Sequence, residues 1–136
     1  PRNGTLAYAS AGHDPPLVYR ASDDSFAELE STGPLLGIAE GMEFGVSSPL
    51  PLRRGDVVVF MTDGLFECMN AREETFGKER LKDIVRATAA SSAAETLDAL
   101  LQATADWTEN RPPRDDITVV VVKLPAICSK HAVAPS

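Results

Sequence analysis

The sequence predicts an α+β fold, a sheet of short antiparallel strands covered by helices. Three observations carry this. Two runs, Val57-Val58-Val59-Phe60-Met61 after Asp56 and Ile117-Thr118-Val119-Val120-Val121-Val122, are almost wholly apolar and rich in β-branched residues, as strands buried on both faces are. Shorter apolar runs near the start are separated by turn-forming clusters, the pattern of an antiparallel meander. Between the two long runs lie two stretches of helical periodicity. Six strands and two helices joined in this way imply α+β architecture.

In chain order, Leu6 to Ser10, Leu17 to Arg20 and Phe26 to Leu29 read as strands, broken by Gly-His-Asp-Pro-Pro and Ser-Asp-Asp-Ser. A glycine-rich connection through Gly33, Gly37 and Gly41 follows. Phe44, Val46, Ser48 and Leu50 alternate at period two, predicting a strand with one face inward. Pro49 and Pro51 cannot donate to a ladder and place that strand's end at a sheet edge. Asp56 to Thr62 is the expected central strand. Leu81, Ile84, Val85 and Thr88 form one stripe of a helix from Lys78 to Ala90. Ser92 and Glu95 make a capping box for a second helix. Its expected inner face is Leu97, Leu101, Thr104 and Thr108, and Pro112-Pro113 forbids continuation. Ile117 to Leu124 is the last strand. The Ala/Pro/Ser-rich stretch 125–136 is expected to be a flexible C-terminal tail.

At 136 residues the chain fits one domain, and its 43% apolar and 24% charged composition is that of a globular protein. A formal net charge of −7 with no dense Lys/Arg run argues against a nucleic-acid partner and suits a collector of divalent cations. No run approaches the roughly 20 apolar residues of a membrane span. Cys68 and Cys128 lack metal-binding spacing and read as two unpaired thiols of a reducing cytoplasm. A start at Pro1, shortly before the first strand, suggests an excised piece of a longer protein.

The chemical signal lies where the two long runs meet acidic motifs, Thr62-Asp63-Gly64 and Asp115-Asp116. A carboxylate at the mouth of such a strand is held rigidly beside a water-excluding core, and two from distant parts of the chain can converge on one cation. Mg²⁺ and Mn²⁺ take carboxylate and water oxygens, which Asp63, Asp115 and Asp116 can supply. Adjacent strand residues point to opposite faces, so Asp116 is either a ligand or a hydrogen-bond acceptor beside the site. Gly64 would supply a tight turn that aims Asp63. Thr62 and Thr118 are strand residues in the first place, and candidates for orienting the carboxylates in the second. Glu67 is either a solvated acid or a further supporting group.

These motifs stand in a specific order. Leu6-Ala7-Tyr8-Ala9-Ser10-Ala11-Gly12-His13-Asp14-Pro15-Pro16 is followed by Pro34-Leu35-Leu36-Gly37 and by Gly55-Asp56 leading to Thr62-Asp63-Gly64-Leu65-Phe66-Glu67. Phe76-Gly77-Lys78-Glu79-Arg80-Leu81 and Asp115-Asp116-Ile117-Thr118 complete it. Over about residues 5 to 124 the chain resembles the C-terminal half of a PPM-type (type 2C) serine/threonine phosphatase domain. The closer resemblance is to the bacterial branch typified by stage II sporulation protein E and the stress-response sigma-factor regulators.

The resemblance implies one half of an α-β-β-α sandwich over residues 1–124, with the N-terminal half absent. It implies hydrolysis of phosphoserine or phosphothreonine by metal-activated water without a phospho-enzyme, using Mn²⁺ or Mg²⁺, two ions in the complete domain. Asp63 and Asp115 would be the catalytic ligands, joined by Asp116. The implied substrate is a phosphorylated regulatory protein such as an anti-anti-sigma factor. The family's remaining acids belong to the absent half, so the fragment alone is expected to be inactive and prone to self-association through open sheet edges. The rival readings are a non-catalytic PPM-like interaction module in a signalling protein, and an unrelated α+β binding domain whose acidic motifs are turns. His13 and Trp107 read as a turn residue and a packing residue, and Cys68 lacks a Cys-x5-Arg nucleophile loop. Arg53-Arg54, segment 31–55 and the first helix are where partner contacts are expected.

Overall fold

The computed structural model describes residues 4–124; the expected tail at 125–136 and Cys128 lie outside them. Along the chain come β1 (Gly4–Leu6), β2 (Leu17–Arg20), β3 (Ser25–Glu28), β4 (Leu50–Leu52) and β5 (Val57–Met61). Then follow α1 (Asp63–Phe66), α2 (Lys78–Ala87), α3 (Ala93–Trp107) and β6 (Val119–Lys123). One sheet has the order β3-β2-β5-β6, antiparallel throughout; β1 and β4 form a second, two-stranded sheet.

Alternate residues of a strand face opposite ways, and here both faces of β2 and β5 are buried. Leu17, Tyr19, Val57, Val59 and Met61 pack with Leu81 and Val85 of α2 and Leu100 of α3. Val18 and Val58 point to the other side, against Leu29 and Leu52, with Leu6, Tyr8 and Leu50 alongside. The layers are therefore helices, four-stranded sheet and two-stranded sheet, three of the four layers of an α-β-β-α sandwich. Each fully buried aliphatic side chain contributes about 1.5–3 kcal/mol against conformational entropy. The expected α+β class and the central place of β5 hold.

Several expected elements differ. The first strand is Gly4–Leu6, and it pairs with β4 instead of β2, so the meander shrinks to the β2–β3 hairpin. Tyr8 and Ser10 still bind the neighbouring segments, through Ser47 N–H to Tyr8 O (2.8 Å) and Thr32 N–H to Ser10 O (3.1 Å). The alternating segment from Phe44 forms a strand only at Leu50–Leu52, because Gly45, Ser47 and Ser48 offer little to bury. Pro51 tolerates its place in β4 because that sheet has only two strands. α2 stops at Ala87, with Leu81 and Val85 buried as its stripe requires.

The capping box of α3 forms: Glu95 N–H donates to Ser92 Oγ (3.1 Å) and Ser92 N–H to Glu95 Oε2 (2.7 Å). Its inner face, however, is Thr96, Leu100, Thr104 and Thr108, while Leu101 is exposed. Buried threonines satisfy their hydroxyls on backbone carbonyls, Thr104 on Leu100 O (2.9 Å) and Thr96 on Thr88 O (3.3 Å). Lys123 Nζ, at the end of β6, donates to Thr88 O (2.6 Å) and Ser91 O (2.7 Å), tying sheet to the α2–α3 corner. β6 is not buried on both faces: Val119 and Val121 pack toward the helices, but Val120 is 51% and Val122 42% exposed.

Candidate active site

The ladder between β5 and β6 builds the site. Its register, Val57 opposite Lys123 through Met61 opposite Val119, brings the exit of β5 to the start of β6. One step further, Thr62 meets Thr118: Thr62 N–H donates to Thr118 O (3.1 Å), and Thr118 N–H donates to Thr62 Oγ1 (3.0 Å). The same hydroxyl donates to Asp116 O (2.9 Å). Thr62 thus bridges the two acid-bearing segments, while Thr118 contributes its backbone.

Beyond this clamp the chain turns into α1, whose first residue is Asp63. Gly64 lies inside that helix without left-handed backbone, so the expected tight turn is replaced by a close approach. A Cβ there would stand 2.6 Å from Asp116 O and 3.3 Å from Asp115 O. Both are backbone atoms, and only glycine lets α1 press against the Asp115–Asp116 segment.

Asp63 and Asp115 line one cleft of about 490 Å³, together with Gly64, Glu67, Cys68, Met69, Arg111 and Arg114. Each aspartate uses one oxygen locally: Asp63 Oδ1 accepts from Gly64 N–H (2.9 Å), and Asp115 Oδ1 accepts from Asp116 N–H (2.7 Å). Asp116 is exposed and does not line the cleft, and serves the site through its backbone. Glu67 is exposed on the rim and caps α1 with its N–H, donated to Asp63 O (2.8 Å). Cys68 donates its thiol to Leu65 O (3.3 Å), and burial pushes its pKa up, the opposite of an activated nucleophile. His13 is exposed, and among the described residues its ring binds only the neighbouring Asp14 O (2.8 Å).

Trp107 immediately precedes Thr108, which lines the cleft. Trp107 Nε1–H donates to Glu74 O (3.1 Å), Arg80 stacks 4.0 Å over the Trp107 ring, and Phe76 meets the same ring edge-on at 6.0 Å. Trp107 is the expected packing residue. Two guanidiniums of the cleft, Arg111 and Arg114, escaped the sequence reading. Their signal was the rigid Pro112-Pro113 leading directly into the acidic pair.

Hard carboxylate oxygens in one cleft suit a divalent cation, and Asp63 and Asp115 would form one side of its shell. Among the described residues no three His, Cys, Asp or Glu side chains gather closely enough to hold an ion.

This layering is that of PP2C-type phosphatase domains. A model of the stage II sporulation protein E (SpoIIE) family matches residues 1–125, and the chain belongs to that family. It is 33% identical over 124 residues to the phosphoserine phosphatase RsbU of Bacillus subtilis, covering 87% of this chain and 34% of RsbU. The SiaA-PP2C domain of Pseudomonas aeruginosa superposes with a TM-score of 0.72 at 24% identity, covering 90% of this chain and 47% of that one. The manganese-presoaked phosphatase domain of the Bacillus subtilis cell fate determinant SpoIIE gives a TM-score of 0.62 at 21% identity, over 95% of this chain and 59% of its own. The chain thus spans about a third of RsbU and about half of the SiaA domain.

Proposed function

We propose that this chain is the acid-bearing, C-terminal part of a divalent-cation-dependent protein serine/threonine phosphatase. Its substrate would be the phosphoserine or phosphothreonine of a regulatory protein resembling an anti-anti-sigma factor, and its setting the cytoplasm. The observation that supports this best is the convergence of Asp63 and Asp115 on one cleft, with Gly64 pressed against the backbone between the two acids of the second motif. The kinship to RsbU, a phosphoserine phosphatase, and to a SpoIIE domain presoaked with manganese favours this chemistry.

In the reaction a water oxygen forms a bond to phosphorus, the bond from phosphorus to the serine oxygen breaks, and that oxygen takes up a proton. When bound, Mn²⁺ or Mg²⁺ would supply Lewis acidity toward water and phosphoryl oxygens. Asp63 and Asp115 would hold it, each with the oxygen its local N–H leaves free. Asp116, Thr62 and Thr118 fix the backbone from which those two project, and Glu67 stands on the rim as a supporting acid.

Turnover of a phosphoprotein in millimolar Mn²⁺ tests this in the full-length protein. Replacing a group that merely supports a metal ligand costs about 10–100-fold, so Asp63→Ala and Asp115→Ala should each cost more, with the melt unchanged. Near-normal turnover in either variant would refute the assignment. A full-length protein without turnover that still binds a phosphoprotein would instead be a non-catalytic interaction module. The 136 residues alone, with no closed ligand set among those described, should hydrolyse p-nitrophenyl phosphate no faster than background.

A further inference from the structure

Three carboxylates, Asp63, Glu67 and Asp115, line the cleft, and the chain carries a net charge of −7. A phosphoryl dianion entering such a cleft meets like charge and needs a cation to offset it. Two guanidiniums are present. Arg111 is engaged: its Nε–H donates to Thr108 O (3.0 Å), and its Nη2 lies 3.9 Å from Glu109 Oε1. Arg114 is exposed, and among the described residues no carboxylate lies within salt-bridge distance of it. Its one hydrogen-bond partner there is Met69 Sδ at 3.6 Å, a weak acceptor.

The backbone that carries Arg114 is fixed. Pro112-Pro113 restrict the chain just before it, and Asp116 O just after it is held by Thr62 Oγ1 at 2.9 Å. A long donor arm therefore springs from a rigid base immediately beside Asp115, with most of its five N–H groups uncommitted. A planar guanidinium presents parallel donors that match two phosphate oxygens, which an ammonium cannot do.

We propose that Arg114 binds the phosphoryl group of the substrate and of released orthophosphate, setting affinity for the phosphate itself. The inference rests on the phosphatase reading of the cleft. Arg114 would touch two of the three non-bridging phosphoryl oxygens while the chemistry proceeds beside Asp63 and Asp115.

The experiment uses the full-length protein in Mn²⁺. Steady-state kinetics are measured on p-nitrophenyl phosphate and on a phosphoprotein, and orthophosphate affinity by isothermal titration. Arg114→Ala should raise KM for both substrates and weaken orthophosphate binding by about tenfold or more, with a smaller fall in kcat. Arg114→Lys should recover only part of this, because it offers a point charge without the fork. Arg72→Ala, which removes an exposed guanidinium outside the cleft, should stay within about twofold of wild type. Unchanged KM and unchanged orthophosphate affinity in Arg114→Ala would overturn the proposal. So would a KM rise confined to the phosphoprotein, which would make Arg114 a contact to polypeptide. A wild-type protein without turnover would remove the phosphatase reading, and the orthophosphate titration would still decide the role of Arg114.

Discussion

The two ends of β5 each carry an aspartate, and they could hardly be treated more differently. Asp56, just before the strand, is 0% exposed. Its Oδ2 accepts from Arg20 Nη1 (2.9 Å) and Arg53 N–H (2.9 Å), and its Oδ1 from Ala21 N–H (3.2 Å). Asp63, two residues after the strand, takes one N–H from its own neighbour and lines a cleft. A carboxylate saturated by protein donors is a fastener. One left half-satisfied at the edge of a dry core is available to a ligand. In sequence the two are the same residue beside the same apolar run; donor count separates them.

That contrast can be broken by exchange of roles. Asp56→Ala leaves Arg20 partly buried beside unpaired N–H groups, and should cost roughly 3–5 kcal/mol in urea unfolding of the full-length protein. Asp63→Ala should cost under about 1 kcal/mol in the same titration while removing turnover. Equal stability losses in the two variants would erase the distinction.

The next test concerns the contact that brings the acids together. Gly64→Ala places a methyl 2.6 Å from a carbonyl oxygen, and overpacking of this kind costs about 1–3 kcal/mol. It should also lower turnover, since α1 and the Asp115 segment must separate. Thr62→Val removes the hydroxyl that joins Asp116 O to Thr118 N–H, at a cost of about 1–3 kcal/mol and about 10–100-fold in activity. An active, fully stable Thr62→Val would reduce that clamp to an ordinary strand end.

The smallest effect lies far from the cleft, at the start of α3. Hydrogen bonds from the Ser92 backbone and side chain hold the Glu95 carboxyl below its ordinary pKa. A folded pKa below the unfolded one stabilises only where the unfolded carboxyl would already be ionised. Its contribution is therefore complete at neutral pH and is lost as pH falls through the folded value. Melting temperature recorded from pH 7 to pH 3 should fall slightly less steeply in Glu95→Gln than in wild type. Identical slopes would mean that the box adds no charge-dependent stability.

The parts legible in the sequence were those where one physical rule dominates. Val57–Met61 announced itself because continuous β-branched residues leave no alternative face, and Ser92 with Glu95 because two orphan amides need two acceptors. Tyr8, Phe44 and Val46 misled because their regular spacing is not matched by the glycines and serines between them. Leu101 was placed inward and Thr96 overlooked, since a threonine's polarity disappears once its hydroxyl finds a carbonyl. Asp63 and Asp115 were legible as candidates by type and position. That Asp115 lines the cleft and Asp116 does not depends on a register no local pattern reveals.

That register has a consequence for how such a protein can vary. Each partner pair from Val57–Lys123 to Met61–Val119 keeps the same offset, and Thr62 with Thr118 continues it. Losing Val122 from β6 would displace the offset by one, turn Val119 and Val121 outward, and carry Asp115 to the place Asp116 now holds, off the cleft. Hydrophobic exchange along these strands should therefore be forgiven, and changes of length should not. Relatives that differ in length should carry the difference in the surface hairpin between Cys68 and Phe76, where an added residue moves neither acid.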